Sequence, residues 1–399
     1  MKSHTFKPLL QYVALAAAAA LVGFVGIWFG WQSDQARKSV REARPAQPAS
    51  GEQASAGGSA PARNDSANAF VSAANMLATA LDSQKARATL DQLRAQLKSM
   101  SPAVASRAIR QTLDSRADAP TGMEFKPGAN GTLAKAPTLR TFLLDQLAQA
   151  DPAAAAAYAE RILSSPDSPD EWAVSLRNYA LARTNTEARA FLQQKFRELI
   201  HQDPWRSDPS VGFLEAFDVA VHVGGTELLP DLTALLRAKD NQAVTHAAYL
   251  ALDRLIINEP AVVLGELHRQ LESMEGRETT RANLFARADL SDPAQKTILE
   301  NYLLDARIDP AELETFTGLY PNANYMVSYN LLTRTLTPDR DTLVKRDRQA
   351  LQTVQQWLAD PRFAKVQPQL EKIRQRLEMF VNQAGDANAG RVNAGATSP

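Results

Sequence analysis

Thr226–Ile257 reads TELLPDLTALLRAKDNQAVTHAAYLALDRLII, and its periodicity decides the fold class. Leu228, Leu229, Leu232, Leu235 and Leu236 recur at helical spacing, with Pro230 bending the helix they define. Asp240-Asn241 supplies a turn. A second stripe follows at Val244, Ala247, Ala248, Ala251, Leu252 and Leu255, where the small alanines allow close approach of a neighbour. Two amphipathic helices joined by so short a turn make antiparallel neighbours.

The same rhythm runs outward over a body spanning 70–384. Phe70, Leu77 and Leu81 form one stripe; Leu90, Leu93, Leu97 and Met100 a second; Val104, Ala108, Ile109 and Leu113 a third. Ser101-Pro102, Asp151-Pro152, Ser168-Pro169, Asp208-Pro209, Asp292-Pro293, Asp309-Pro310, Thr337-Pro338 and Asp360-Pro361 punctuate it, with Glu259-Pro260 as a weaker relative. Each pairs an N-cap side chain with a proline at the first helical position, where a missing N–H loses nothing. No sustained period-2 alternation appears, so the expected class is all-α with almost no sheet. One stretch departs from the rhythm. Residues 117–137, ADAPTGMEFKPGANGTLAKAP, form an irregular insertion in which Met123, Phe125 and Leu133 offer something to bury. It reads as an ordered flap or as a partner-binding loop. Residues 385–399 are Gly-, Asn- and Ala-rich and read as a disordered tail.

The 226–257 stretch resembles a HEAT repeat, and Leu139–Leu163 has a similar shape. The resemblance departs at Thr245, where the family usually carries a basic residue. It implies a stack of antiparallel helix pairs, an α-solenoid, and members of such families are mostly scaffolds and adaptors. The uneven spacing of the capped prolines argues against a regular array.

Leu9–Trp31, LLQYVALAAAAALVGFVGIWFGW, lies beyond a short flank at 1–8 and holds no charge. As a helix it would reach roughly 34 Å, enough to span the bilayer core. Tyr12 at one end and Trp28 and Trp31 at the other suit the headgroup level. A cleaved signal peptide would have a shorter apolar run and a small-residue cleavage site, and Trp-Phe-Gly-Trp offers none. The expectation is a single-pass anchor in a bacterial inner membrane. Residues 32–69 then form a disordered Ala/Pro/Gly/Ser linker; from Arg41 to Ala69 there is no aromatic or large aliphatic residue. Arg37, Lys38, Arg41 and Arg44 favour a cytoplasmic body by the positive-inside rule. The order of anchor, linker and large domain favours a periplasmic one, which is the expectation adopted.

Lys plus Arg and Asp plus Glu each number 44, so no net field draws nucleic acid, and basic residues interleaved with aromatics are missing. Without cysteine there are no disulfides or thiolate chemistry, and five scattered histidines make no metal signature. No phosphate loop, dinucleotide fingerprint or nucleophile elbow appears. No cofactor, metal or small-molecule substrate is expected, nor an enzyme. Three weak candidates remain: an anion site at Gly224-Gly225-Thr226, a His222–His246 pair, and an acid/base cluster of Glu215, Asp218 and His222. Each reads more simply as structural. Asp339–Arg348, DRDTLVKRDR, reads as a solvated helix face. The most binding-like patch is Tyr320, Asn322, Asn324, Tyr325 and Tyr329, with Asn330 beside it, because tyrosine and asparagine favour interfaces.

These features suggest a membrane-anchored helical scaffold binding another protein. The alternative is a membrane-tethered folding helper similar to the lipase-specific foldases, which share anchor, Ala/Pro-rich tether and helical body. Their Arg-x-x-Phe-Asp-Tyr signature has its nearest counterpart in Leu214–Val219, which keeps Phe217-Asp218 and lacks the Arg and Tyr.

Overall fold

The computed structural model describes residues 70, 72–77, 79, 82–238 and 241–395. The anchor at 9–31 with Tyr12, Trp28 and Trp31, the linker at 32–69 and Asp240 lie outside them. Among the described residues no helix is long and apolar enough to cross a membrane.

The described residues are mostly helical and divide into two compact units, where the periodicity suggests one continuous domain. The first holds the described residues up to Lys126 together with Leu133–Ala155; the second holds Pro127–Thr132 and everything from Ala156. In the first unit α1 (Ser83–Ser99) and α2 (Pro102–Asp114) join α3 (Leu139–Ala150). Leu90, Leu93, Leu97, Ile109, Leu113 and Phe142 are buried there, and the Arg94 guanidinium lies 5.3 Å from the Phe142 ring. The 117–137 insertion is ordered: Thr121 N–H donates to the Pro137 carbonyl (2.9 Å), and Leu133 N–H to Asp145 Oδ1 (3.0 Å). Phe125 and Leu133 are buried, and Lys126–Pro127 pairs with Leu133–Lys135 as a minimal hairpin.

From α4 (Pro152–Ile162) the chain continues through α5 (Pro169–Ala182), α6 (Thr186–Ile200), α7 (Asp203–Ser207), α8 (Val211–Glu215) and α9 (Asp218–Val223). Then come α10 (Leu229–Arg237), α11 (Gln242–Asn258), α12 (Pro260–Arg269), α13 (Glu278–Phe285), α14 (Pro293–Leu304) and α15 (Pro310–Leu319). The last are α16 (Arg340–Ala359) and α17 (Gln367–Gly395). α17 runs past Gly385, where composition suggests a tail. Once a helix is nucleated, alanine-rich sequence extends it at little cost.

The two helical stripes expected within 226–257 are present. α10 and α11 pack together, and every apolar position of both stripes is buried. Asn241 Oδ1 accepts from the Ala243 (2.9 Å) and Val244 (3.3 Å) N–H groups, starting α11. Most proline marks also begin helices: Asp292 accepts from Ala294 and Gln295, and Asp309 from Ala311. Three behave otherwise. Asp208-Pro209 and Thr337-Pro338 precede their helices by one or two residues, because Ser210 and Asp339 take the capping bond. Asp360-Pro361 opens a 3-10 segment, Pro361–Val366.

A ladder of buried rings runs through α13, α14 and α15. Phe285 stacks on Tyr302 (4.2 Å between centroids), Tyr302 meets Phe316 (5.5 Å), and Phe316 stacks on Tyr320 (5.3 Å). Beside it, Glu312 accepts from Arg281 Nε (2.8 Å) and from the Tyr302 hydroxyl (2.8 Å). Burial and the adjacent carboxylate hold the Tyr302 phenol far above its ordinary pKa, so it stays a donor. Tyr320 is the last rung of the ladder, and the chain leaves helical structure there.

Candidate functional site

Between α15 and α16 the chain crosses Tyr320–Asp339 without a helix, and from Asn322 to Asn330 without a turn or bend. Such a run has no regular secondary structure. Fourteen consecutive residues, YPNANYMVSYNLLT from Tyr320 to Thr333, carry no charge. This strap holds its shape through its two ends.

At the first end Tyr320 is only 1% exposed and Pro321 follows through a cis peptide bond. Asn322 N–H donates to the Ala286 carbonyl (2.8 Å), and its side-chain amide to Asn283 Oδ1 (3.1 Å). Arg287 Nη1 donates to the Asn322 carbonyl (3.2 Å), and the same guanidinium lies 5.3 Å from the Tyr325 ring. Its other nitrogens form a fork on Asp253 of α11, at 2.8 and 2.9 Å. Burial raises the Asp253 pKa despite Arg287, and burial lifts the nearby Tyr249 phenol to about 12.

At the second end the anchor is Asp218, the first residue of α9. Its Oδ2 accepts from the N–H groups of Leu332 (2.7 Å) and Thr333 (2.8 Å), and its Oδ1 from Arg254 Nη1 (3.0 Å) and the Thr333 hydroxyl. Neighbouring Glu215 is lifted to about 7, by burial first and by the Asp218 charge as well, against the pull of Arg254. Gly131 comes up against the Leu331 carbonyl, and Arg177 Nη1 donates to the Gly131 carbonyl (2.5 Å). Gly131 has φ +73°, and an added Cβ would meet that Leu331 oxygen, so no other residue fits.

Between these anchors the strap faces water with apolar groups: Met326 is 55% exposed, Val327 70%, Tyr329 60% and, just beyond, Leu336 79%. Among the described residues, the backbone N–H groups of Tyr325 to Leu331 donate no hydrogen bond. Met326, Ser328 and Thr335 line a small cleft against Leu250, Asp253, Arg254 and Ile257 of α11.

No family model matches this chain, and comparison with curated proteins and with solved structures gives no match. Its chemistry must be read from the molecule itself.

The sequence patch is thus divided. Tyr320 is in the core, not on the surface, because the ring ladder needs it; Tyr325 is half-buried beside Arg287; Asn322 is tied down; Asn324 and Tyr329 are exposed. Glu215 and Asp218 do come together, yet Asp218 is an internal clamp with its acceptor positions filled. Phe217 and Asp218, the remnant of the foldase-like motif, are both buried. His222 lies at the surface, and partial burial lowers its pKa. Gly225 N–H donates to the Glu259 carboxylate (3.1 and 3.3 Å), so a side chain of the protein itself occupies that weak candidate anion site. Among the described residues no group of three His, Asp or Glu is placed to hold a metal. Sequence reading missed Asp253 and Arg254. They are the only Asp, Glu, Lys or Arg between Ala243 and Ile257, and charges isolated in an apolar helix were the available signal.

Proposed function

We propose that this chain is a membrane-anchored helical scaffold, its body outside the cytoplasm, that binds another protein through the strap between α15 and α16. One observation carries the reading: an uncharged segment presents Met326, Val327, Tyr329 and Leu336 to solvent while buried ion pairs fix both its ends. Large apolar side chains held in fixed positions on a surface mark interaction sites. Prior ordering lowers the entropic cost of binding, so the clamps favour recognition as well as fold. The HEAT-like α10–α11 pair accords with a superhelical scaffold, and the apolar 9–31 segment with an anchor in a bacterial inner membrane. The proposed role is binding without catalysis or cofactor.

The test is site-specific crosslinking in cells. A photoreactive residue at Val327 or Tyr329 should give a discrete adduct that one at Leu181, 57% exposed on α5, does not. The Met326→Ala/Val327→Ala/Tyr329→Ala variant should lose the adduct while its stability changes by no more than about 0.5 kcal/mol, as befits surface positions. Equal adducts from the strap and from Leu181 would refute the assignment. A phosphatase fusion after Arg63 that remains inactive would refute the topology.

A further inference from the structure

Resting on the docking reading above, we infer that Met326 is a redox-sensitive modification site: its oxidation by a peroxide to methionine sulfoxide releases the docked partner until a thiol-dependent reductase reverses it. Six of the seven methionines lie among the described residues. Met326 is the most exposed of them at 55%, ahead of Met379 at 48% and Met76 at 46%, while Met274 is buried at 1%. Met76 and Met379 stand on helices; Met326 stands in a segment without regular secondary structure, between Tyr325 and the exposed Val327. It also lines the small cleft with Leu250 and Ile257 of α11. The chain has no cysteine, so thioethers are its only oxidisable sulfur and no thiol of its own can intercept the oxidant or undo the change. In the reaction a lone pair of the Met326 sulfur attacks one peroxide oxygen. The O–O bond breaks, an S–O bond forms, and the other oxygen leaves as water. Sulfur loses two electrons and the peroxide gains them. Two thiols of a reductase return the electrons, becoming a disulfide while the sulfoxide oxygen departs as water. Oxidation turns a flexible apolar side chain into a polar one. Against an apolar partner its oxygen is stripped of water and offered no donor, whereas on the free chain water solvates it. The strap's ends are held at Asn322 and at Leu332 and Thr333, so oxidation changes what the strap shows and not where it is attached.

The experiment uses the purified full chain with a photoreactive residue at Tyr329. It is exposed to hydrogen peroxide, freed of it with catalase, and irradiated in a detergent extract of untreated cells, so that the partner never meets the oxidant. Peptide mass spectrometry should show Met326 taking up oxygen first and Met274 last. The strap adduct should fall by about tenfold or more, the effect of desolvating one unpaired polar group. It should return after treatment with a dithiol and sulfoxide reductases for both sulfur epimers. The Met76→Leu/Met379→Leu chain should show the same loss and recovery, and Met326→Gln, polar from the start, should show the loss without peroxide. Oxidation of Met326 no faster than of Met274, or an undiminished adduct from a chain fully oxidised at Met326, would overturn the switch and leave the docking reading standing. A loss that disappears in the Met76→Leu/Met379→Leu chain would place the sensitive sulfur elsewhere and overturn it as well. An unoxidised chain that gives no more adduct from the strap than from Leu181 would overturn the docking reading, and the switch with it.

Discussion

Replacing Asp218 with Asn probes the clamp on which the site depends. The carboxylate receives four donors: two backbone N–H groups, one hydroxyl and the Arg254 guanidinium. Asn has the same shape but one acceptor oxygen and two donor hydrogens. Whichever way the amide turns, it sets a donor against either the Leu332 and Thr333 N–H pair or against Arg254. A hydrogen bond to an ionised partner is worth about 1.5–3 kcal/mol net, so losing one or two should cost about 3 kcal/mol locally. The assay is native-state amide exchange at Leu332 and Thr333, where protection should fall by about two orders of magnitude. The far half of the molecule should keep its protection. A second readout follows from the charge change: without Asp218 the Glu215 pKa should drop from about 7, because one of its two raising causes has gone. Unchanged protection at both amides, with the Glu215 titration unmoved, would refute the clamp.

The Glu215 rise has its own consequence. A carboxyl lifted from 4.5 to about 7 on folding holds a proton that the unfolded chain releases, so stability should decline as pH rises from 4.5 to 7 and then level off. The full effect is at most roughly 3 kcal/mol; Glu215→Gln should flatten the pH profile and be the more stable form above pH 7. Gly131→Ala should destabilise by about 2 kcal/mol or more in thermal unfolding, since left-handed strain adds to a backbone clash; a change under 0.5 kcal/mol would mean that the tip of the insertion is free to move. Arg287→Lys keeps the charge but breaks the fork on Asp253 and the contact with Asn322, so exchange should quicken at Asn322 and leave Leu332 protected; equal loss at both would show that the ends are not independently anchored.

The helices were legible because each needs only local information: a stripe at the right period and a cap in the right place. The α10–α11 pair shows this, with Asn241, read as part of a turn, serving as the cap of α11. The strap was half-legible. Its tyrosines and asparagines signalled a break in helical structure, but the sequence does not distinguish Tyr320, which completes a ring ladder, from Tyr329, which faces water. That difference depends on where Phe316 and Tyr302 lie, and is set by packing between helices. Asp218 was legible only as one member of a local acid/base cluster. Its true partners are 36 residues away at Arg254 and 114 and 115 away at Leu332 and Thr333, and no local pattern reports such separations. The division into two units was hidden for a related reason, since the chain enters the second unit for Pro127–Thr132 before returning to the first.

The two anchors, with a few bonds inside the segment at Asn322–Asn324, Ser328–Asn330 and Asn330–Thr333, also explain how a surface segment keeps one conformation. Burying an ion pair is weak as a source of stability, because desolvation cancels much of the attraction. It is strong as a source of specificity, because each charge tolerates only the geometry that satisfies it. Asp253 and Arg254 are consecutive on α11, yet they serve opposite ends of the strap: Asp253 through Arg287 at Asn322, and Arg254 through Asp218 at Leu332. One rigid turn of helix therefore sets the distance between both attachment points. An apolar seal would allow the strap to slide and present different side chains, since Val, Met, Leu and Tyr are interchangeable against a greasy wall. The carboxylate–guanidinium pairs forbid that slip. They fix the register, and with it the choice of Val327 and Tyr329 as the side chains shown to a partner.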